Sequence, residues 1–359
     1  MSNTNELVIK NPKLFHNLGR EETTEIKGVA ILMIIFLHVS TRLFLVPNSS
    51  HGEFGVDIFV ILSGFGLTLS YLSKRTSIMH FVKSRLSKIF PLYWLVLGII
   101  MLTNIYYIKA PLNIKDYVFH FLGLHAFTSE YFYSISDPFW YISLILTLYI
   151  LFIISMRFII SKNINALLII GLASSISSVY LFHLTNNING EIFFSSRILG
   201  FFIGIVLALM IKEGAINLKL NITLSSLVLI QVILIFNQGI PFNYPIAGLL
   251  IITVYLNIIL KFNNQLIDYL RKVLHKIGEY SYEIYLTHYF LMMTLNTHIL
   301  IKIGMPNLGK GYLVVEVLLV FLVTIVVSMF ISKIVKYIST IFKTKSSKRN
   351  KKVPFPLQR

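Results

Sequence analysis

The chain of 359 residues contains no cysteine and few charged side chains. The lack of cysteine excludes a disulfide framework, a thiolate metal site and a cysteine nucleophile. Charged residues make up only 13% of the sequence, whereas a soluble domain carries about 25%. The apolar residues, 55% of the chain, fall into runs long enough to be typical of transmembrane segments. We therefore expect an all-α, polytopic membrane protein, because a spanning backbone must satisfy its hydrogen bonds within each segment.

The apolar runs predict ten spans within one membrane domain, 26–337. A polar segment, 1–25, precedes this domain and shows no signal-peptide pattern, and a basic tail, 338–359, follows it. The predicted spans are 26–46, 54–73, 90–108, 139–156, 165–183, 193–211, 218–237, 244–260, 280–301 and 313–335.

Lysine and arginine are distributed unevenly between the alternate connections. When the 32 basic residues are assigned to sides, the outer side receives only Arg42, Lys109, Lys115, Arg197, Lys302 and Lys310. By the positive-inside rule, this bias predicts that both termini are cytoplasmic. The net charge of +17 then faces the anionic lipid surface, so we expect a bilayer and no nucleic acid as its partner. The richness in isoleucine, asparagine and lysine is typical of an AT-rich bacterial genome, and we expect the bacterial inner membrane.

The first predicted span contains an ionisable residue, His38. Lys27 precedes it by eleven residues, which places the two within roughly 20° of one helical face and about 16 Å apart along the axis. Asp57 opens the second span at a comparable depth in the outer half. A carboxylate beside an imidazole orients the ring and raises its basicity, as a general base acting on a hydroxyl requires. The alternative is a histidine that only bonds a neighbouring helix.

Three cations, Lys83, Arg85 and Lys88, precede the third span on the predicted cytoplasmic side. Such a group can hold the phosphates of an anionic cytoplasmic ligand, and positive-inside topology also explains it. We interpret Pro91 as the first residue of the third helix.

Two residues at the outer ends of their spans are candidate contacts for a substrate. Trp140 belongs either to the aromatic belt or to such a site. Arg197 needs a partner inside the membrane, and the candidates are Asp57 and an acceptor sugar. In the ninth span, Tyr285 and His288 follow one helical stripe with Tyr282. Small residues around Ser63 favour helix packing over a nucleophile.

Four motifs in chain order resemble those of the acyltransferase-3 family, over about residues 20–335. They are Lys27 with His38, where the family more often has arginine first; Gly55-Val56-Asp57-Ile58-Phe59 followed by Leu62-Ser63-Gly64-Phe65; Arg85-Leu86-Ser87-Lys88-Ile89-Phe90-Pro91; and Ser281-Tyr282-Glu283-Ile284-Tyr285-Leu286-Thr287-His288. The second is the most specific match. One departure is that Trp140 is not followed by the glutamate found in many members.

The resemblance implies transfer of an acyl group, most often acetyl, from cytoplasmic acyl-CoA to a hydroxyl of a cell-surface or lipid-linked glycan. Acyl-CoA is then the donor substrate, and we expect no permanently bound cofactor and no metal. We predict His38 as general base or transient acyl carrier and Asp57 as its orienter.

The remaining candidates divide between donor and acceptor. Trp140 and Arg197 are predicted on the acceptor side. On the donor side we predict Lys27, Lys83, Arg85, Lys88, Tyr285 and His288. Two other classes remain open: a polysaccharide exporter using the same polar core, and a proton-coupled transporter with His38 and Asp57 as its relay. Dependence on acyl-CoA separates a transferase from both.

Overall fold

The computed structural model describes residues 18–43, 54–108, 113–161, 163–185, 190–213, 244–262, 264–295, 318–335 and 337. All regular secondary structure within these ranges is helical, as the hydropathy predicts. The α-helices are α1 Arg20–Leu43, α2 Phe54–Ser73, α3 Ile78–Thr103, α4 Ile114–Leu122, α5 Trp140–Ile160, α6 Ile164–Thr185, α7 Gly190–Glu213, α8 Tyr244–Lys261, α9 Gln265–Glu279, α10 Ser281–Leu295 and α11 Leu318–Val335.

Five described segments are long and apolar enough to cross a membrane. They are Phe54–Ser73, Ile78–Tyr106, Asp137–Ile160, Phe194–Lys212 and Leu318–Val335. Two shorter apolar segments, Ile164–Ser178 and Pro245–Ile259, accompany them. The all-α membrane class is thereby confirmed. The seventh predicted span, 218–237, lies outside the described residues, and the ten-span count and the cytoplasmic termini stay predictions.

The chain divides into two compact units. The first comprises residues 1–82 and 113–281, and the second comprises 83–112 and 282–359. The core of the first unit is built from α1, α2, α7 and α8, and its fully buried members include Ile26, Ile58, Ile61, Val206 and Ile252.

In the second unit, hydrogen bonds join α10 to its neighbours. The Tyr282 hydroxyl donates to the Ile89 carbonyl oxygen over 3.0 Å. The hydroxyl groups of Thr287 on α10 and Ser328 on α11 lie 3.0 Å apart and are buried.

The third helix begins twelve residues earlier than the sequence predicts, at Ile78 instead of position 90. Ser77 stabilises this start, because its hydroxyl accepts from the His80 N–H over 3.3 Å. Pro91 therefore lies inside α3, and its interpretation as a first helical residue is wrong. Hydropathy places the start of the helix too late because the basic residues Lys83, Arg85 and Lys88 interrupt the apolar residues of its first turns.

A second difference from the prediction is α9, which lies in the basic connection between the predicted spans 244–260 and 280–301. Asn264 caps the helix by accepting from the Ile267 N–H over 3.0 Å. The helix packs closely on α1, since a Cβ on Gly278 would overlap the Thr24 carbonyl oxygen. Its polar composition hid it from a search for apolar runs.

Candidate active site

A buried ion pair joins α2 to α7. The Arg197 guanidinium contacts the Asp57 carboxylate, and their side chains are 2% and 0% exposed. A charged group inside a protein is strongly destabilising unless an opposite charge neutralises it. Of the two partners that the sequence offered for Arg197, the structure shows Asp57.

Glycines let the two helices approach closely enough to hold this pair. A Cβ on Gly64 would overlap the Phe201 carbonyl oxygen, and one on Gly204 would overlap the Ile61 carbonyl oxygen. Small residues spaced in this way permit close backbone contact between membrane helices. The packing interpretation of the residues around Ser63 is thus confirmed at Gly64.

The eighth helix closes another side of Asp57. A Cβ on Gly248 would stand 3.2 Å from the Asp57 Cβ, so α8 passes directly beside the carboxylate. Asp57, which is fully buried in the part of the chain that the structure describes, therefore lies against both α7 and α8.

Trp140, at the start of α5, lies beside the same arginine. The Arg197 Cζ atom stands 5.5 Å from the Trp140 ring centroid, a cation–π contact. The neighbouring Tyr141 is buried, packs 6.4 Å from the Phe59 ring and lies within hydrogen-bonding reach of Ser63. The two residues predicted on the acceptor side, Trp140 and Arg197, are thus in contact.

His38 and Lys27 lie on α1, and both are half-buried. The helix packs on α2 where a Cβ on Gly55 would overlap the Ala30 carbonyl oxygen and stand 2.9 Å from the Ile34 side chain. His38 follows Ile34 by one helical turn, about 6 Å along the axis. Its pairing with Asp57 stays a prediction.

The three cations of the predicted donor site lie within α3 and not in a loop. Lys83 and Lys88 are exposed, and Arg85 is half-buried. Arg85 and Lys88 are three residues apart and share a helical face, whereas Lys83 lies roughly 140–160° around the helix from both. Arg85 and Lys88 are therefore the pair that can bind one phosphate group together.

Tyr285 and His288 are both buried on α10, with ring centroids 5.9 Å apart. The His288 Nδ1 atom lies 2.8 Å from the Tyr285 carbonyl oxygen and 3.2 Å from that of Ile284. A carbonyl oxygen only accepts, so Nδ1 carries the hydrogen, and Nε2 is the basic nitrogen of the neutral ring.

Sequence reasoning did not single out a stacked histidine pair in the connection 109–138. The rings of His120 and His125 are fully buried, with centroids 3.7 Å apart and an angle of 11° between their planes. His120 Nε2 lies 3.2 Å from the Ser134 hydroxyl. Burial lowers the pKa of His125 from 6.5 to about 4. Burial and the neighbouring His125 ring lower the pKa of His120 to about 2, so both rings are neutral at physiological pH.

The histidine pair belongs to a connection that is fastened to the start of α5. The Ser143 hydroxyl donates to the Gly123 carbonyl oxygen over 2.7 Å and accepts from the Ala126 N–H over 3.4 Å. The His120 ring also stands edge-on to Phe139, 5.9 Å away, directly before Trp140. These contacts hold the end of α5 that presents Trp140. The same connection contains the short helix α4, Ile114–Leu122.

A second polar cluster that the sequence did not reveal ties α1 to α8 and α9. Glu25 is 4% exposed and accepts from the Tyr255 hydroxyl over 2.6 Å. The Arg271 Nε atom donates to both of its carboxylate oxygens over 3.1 Å. The cluster holds the segment of α1 that carries Lys27. A pairing signal of this kind is not visible in hydropathy, because its members are 230 and 246 residues apart.

Comparisons with known proteins found a matching family model and a distant relative. A family model described as an acyltransferase domain matches residues 26–333. A protein of Acidianus two-tailed virus, named "Putative acetyltransferase ORF330", is 29% identical over 143 residues. That match covers 38% of this chain and 42% of the viral protein, less than half the length of each. No solved structure matches the chain.

Proposed function

The chain belongs to the acyltransferase-3 family, and on that premise we propose that it is an O-acyltransferase of cell-surface or lipid-linked glycans. The donor is acyl-CoA, with acetyl the first group to test, and the location is the bacterial inner membrane. Family membership supports acyl transfer in general. The donor, the acceptor and the location are the proposal.

The observation that carries the acceptor assignment is the contact of Trp140 with Arg197, whose charge is balanced by Asp57. An aromatic ring offers an apolar face to a sugar, and a guanidinium offers hydrogen-bond donors to its hydroxyl or carboxylate oxygens. Because Asp57 balances the charge of Arg197, the proposed site carries no net charge, which suits a neutral sugar.

In the proposed reaction, the glycan hydroxyl oxygen attacks the thioester carbonyl carbon. The C–O ester bond forms and the C–S bond breaks, and the hydroxyl proton passes through a base to the CoA sulfur. His38 is the base, or it first accepts the acyl group on a ring nitrogen and then passes it to the hydroxyl.

The donor side of the proposal uses cations and a neutral imidazole. Arg85 and Lys88 share one face of α3 and would bind CoA phosphates. His288, with its basic nitrogen fixed as Nε2, and Tyr285 would line the path of the thioester. Lys27 and Lys83 are the further donor-side cations.

The test follows acyl transfer directly. The purified chain, in lipid nanodiscs, is given acetyl-CoA radiolabelled in the acetyl group together with a surface-glycan fraction. We expect alkali-labile label in the glycan and equimolar release of CoA thiol. The chain has no cysteine, so a thiol reagent measures CoA without a protein background.

Variants separate the two sides of the site. We expect Trp140→Ala to raise the KM for the glycan and to leave the KM for acetyl-CoA unchanged. Lys88→Gln should do the reverse. Glycan labelled by neither acetyl-CoA nor succinyl-CoA would contradict the proposal and favour export or transport through the same polar core.

A further inference from the structure

A cleft that contains none of the residues named for the proposed reaction lies at the C-terminal ends of α2 and α5. The cleft, of about 670 Å³, opens between α2, the start of α3 and the last turns of α5. This volume falls within the range of about 300–1,000 Å³ typical of small-molecule sites. Its lining residues are Tyr71, Thr76, Ser77, Ile78, Ile153, Ile154, Met156, Arg157 and Ile160.

Packed aromatic rings build the cleft into the fold. Tyr71 stands edge-on to Phe152, with ring centroids 6.2 Å apart. Phe152 is fully buried and stacks on Phe81 at 5.4 Å. These rings pack α2, the start of α3 and α5 against one another beside the cleft.

Part of the cleft lining is apolar and exposed, and we call these isoleucines the isoleucine wall. Ile154 is 57% exposed, Ile160 53% and Ile78 54%. All three belong to segments apolar enough to span a membrane. In a bilayer these side chains face lipid, so an acyl chain is the natural occupant of this wall.

The lining also contains hydroxyl groups and a positive charge. Arg157 is exposed at the edge of the cleft, and Tyr71, Thr76 and Ser77 supply hydroxyl groups. No acidic residue lines the cleft in the part of the chain that the structure describes. Lys74 and Arg75, both exposed, directly precede Thr76. This composition fits a phosphate group held by a guanidinium and hydroxyl donors.

We propose that the cleft binds one anionic phospholipid, with its phosphate at Arg157 and an acyl chain along the isoleucine wall. The exposed isoleucines match the acyl chains of such a lipid, and Arg157 with the hydroxyl groups matches its phosphate. The bound lipid joins the ends of α2 and α5, the helices whose opposite ends carry Asp57 and Trp140.

Native mass spectrometry of the full chain tests this proposal. The protein is titrated with phosphatidylglycerol and with phosphatidylcholine of the same acyl chains, and with glycerol phosphate as the headgroup without chains. We expect one phosphatidylglycerol to be retained more strongly than phosphatidylcholine, and glycerol phosphate not to be retained.

Matched variants locate the site. Arg157→Gln should lower phosphatidylglycerol retention roughly two- to fivefold, the effect of one exposed charge contact, and Arg157→Lys should restore most of it. Ile154→Trp should fill the cleft and lower retention. Ile150→Trp is the control, since Ile150 is 61% exposed one turn earlier on α5 and does not line the cleft.

Three results would overturn the proposal. Equal retention of both lipids would remove the role of charge, and unchanged retention in Ile154→Trp would place the lipid elsewhere. A dimer that Ile154→Trp dissociates would identify a second copy of the chain as the occupant. Size-exclusion profiles matching the wild type show that each variant is folded.

Discussion

Arg197 on α7 lies between the Asp57 carboxylate and the Trp140 ring, and it joins three helices at one buried point. The arginine is fully desolvated, so its charge depends on Asp57 for compensation. This relationship makes a specific prediction for stability.

We expect Arg197→Ala to destabilise the fold by about 3–5 kcal/mol, because it leaves an uncompensated buried carboxylate. The double variant Asp57→Asn with Arg197→Gln should lose less than the sum of its two single variants. Thermal unfolding of the purified protein measures this coupling. Additive losses would show that the two side chains are energetically independent.

The close contact of α2 with α7 predicts opposite outcomes at two glycines. Gly204→Ala should cost about 1–3 kcal/mol, since the added methyl group overlaps the Ile61 carbonyl oxygen. Gly66→Ala is the control, because a Cβ at Gly66 meets nothing within 4 Å. Its stability should stay equal or rise by up to about 1 kcal/mol from helix propensity. Equal losses at both positions would contradict the assigned packing.

The hydrogen bond from the Tyr255 hydroxyl to the buried Glu25 carboxylate should stabilise the fold. Tyr255→Phe removes a hydrogen bond to a charged group and should cost about 1.5–3 kcal/mol. Tyr269→Phe, at a residue of α9 that is 64% exposed, should change stability by less than about 0.5 kcal/mol. The measurement compares the unfolding midpoints of Tyr255→Phe and Tyr269→Phe. Similar midpoints would show that the hydrogen bond to Glu25 does not stabilise the fold.

The stacked histidines predict acid lability of the connection that precedes α5. Their pKa values are lower in the folded state than the ordinary 6.5. The unfolded chain therefore binds more protons, and stability falls as the pH drops below 6.5 toward about 4. The unfolding temperature of the wild type should therefore fall as the pH is lowered from neutral to about pH 5. In His125→Gln this loss should be smaller, and an equal loss would contradict the assignment.

Much of the fold could be predicted because a membrane-spanning helix requires a long run of apolar residues, which is visible in the sequence. The predicted span 54–73 coincides with α2, Phe54–Ser73. Helix α9 was not predicted because its apolar residues form a stripe along one face of the helix and not a continuous run. The stripe follows helical spacing, so the helix could have been predicted from the sequence. Its residues are Leu266, Tyr269, Leu270 and Val273.

The candidate site was predictable in its members and not in its contacts. The sequence named Asp57 and Arg197 because charged residues are rare inside a membrane segment. It named Trp140 because this aromatic residue lies at the outer end of its span. Their meeting depends on glycines that bring α2 and α7 together, and one sequence does not reveal which helices are neighbours. The buried histidine pair was hidden because the sequence does not show that the chain turns at Gly123 and brings His125 onto His120.

The most direct test of the account compares two histidine variants in the acetyl-CoA assay. His38→Ala should abolish the transfer of label to glycan while the protein stays folded. His80→Ala, at an exposed histidine of α3, should keep wild-type transfer. Full transfer by His38→Ala would contradict the central claim that this histidine carries the chemistry.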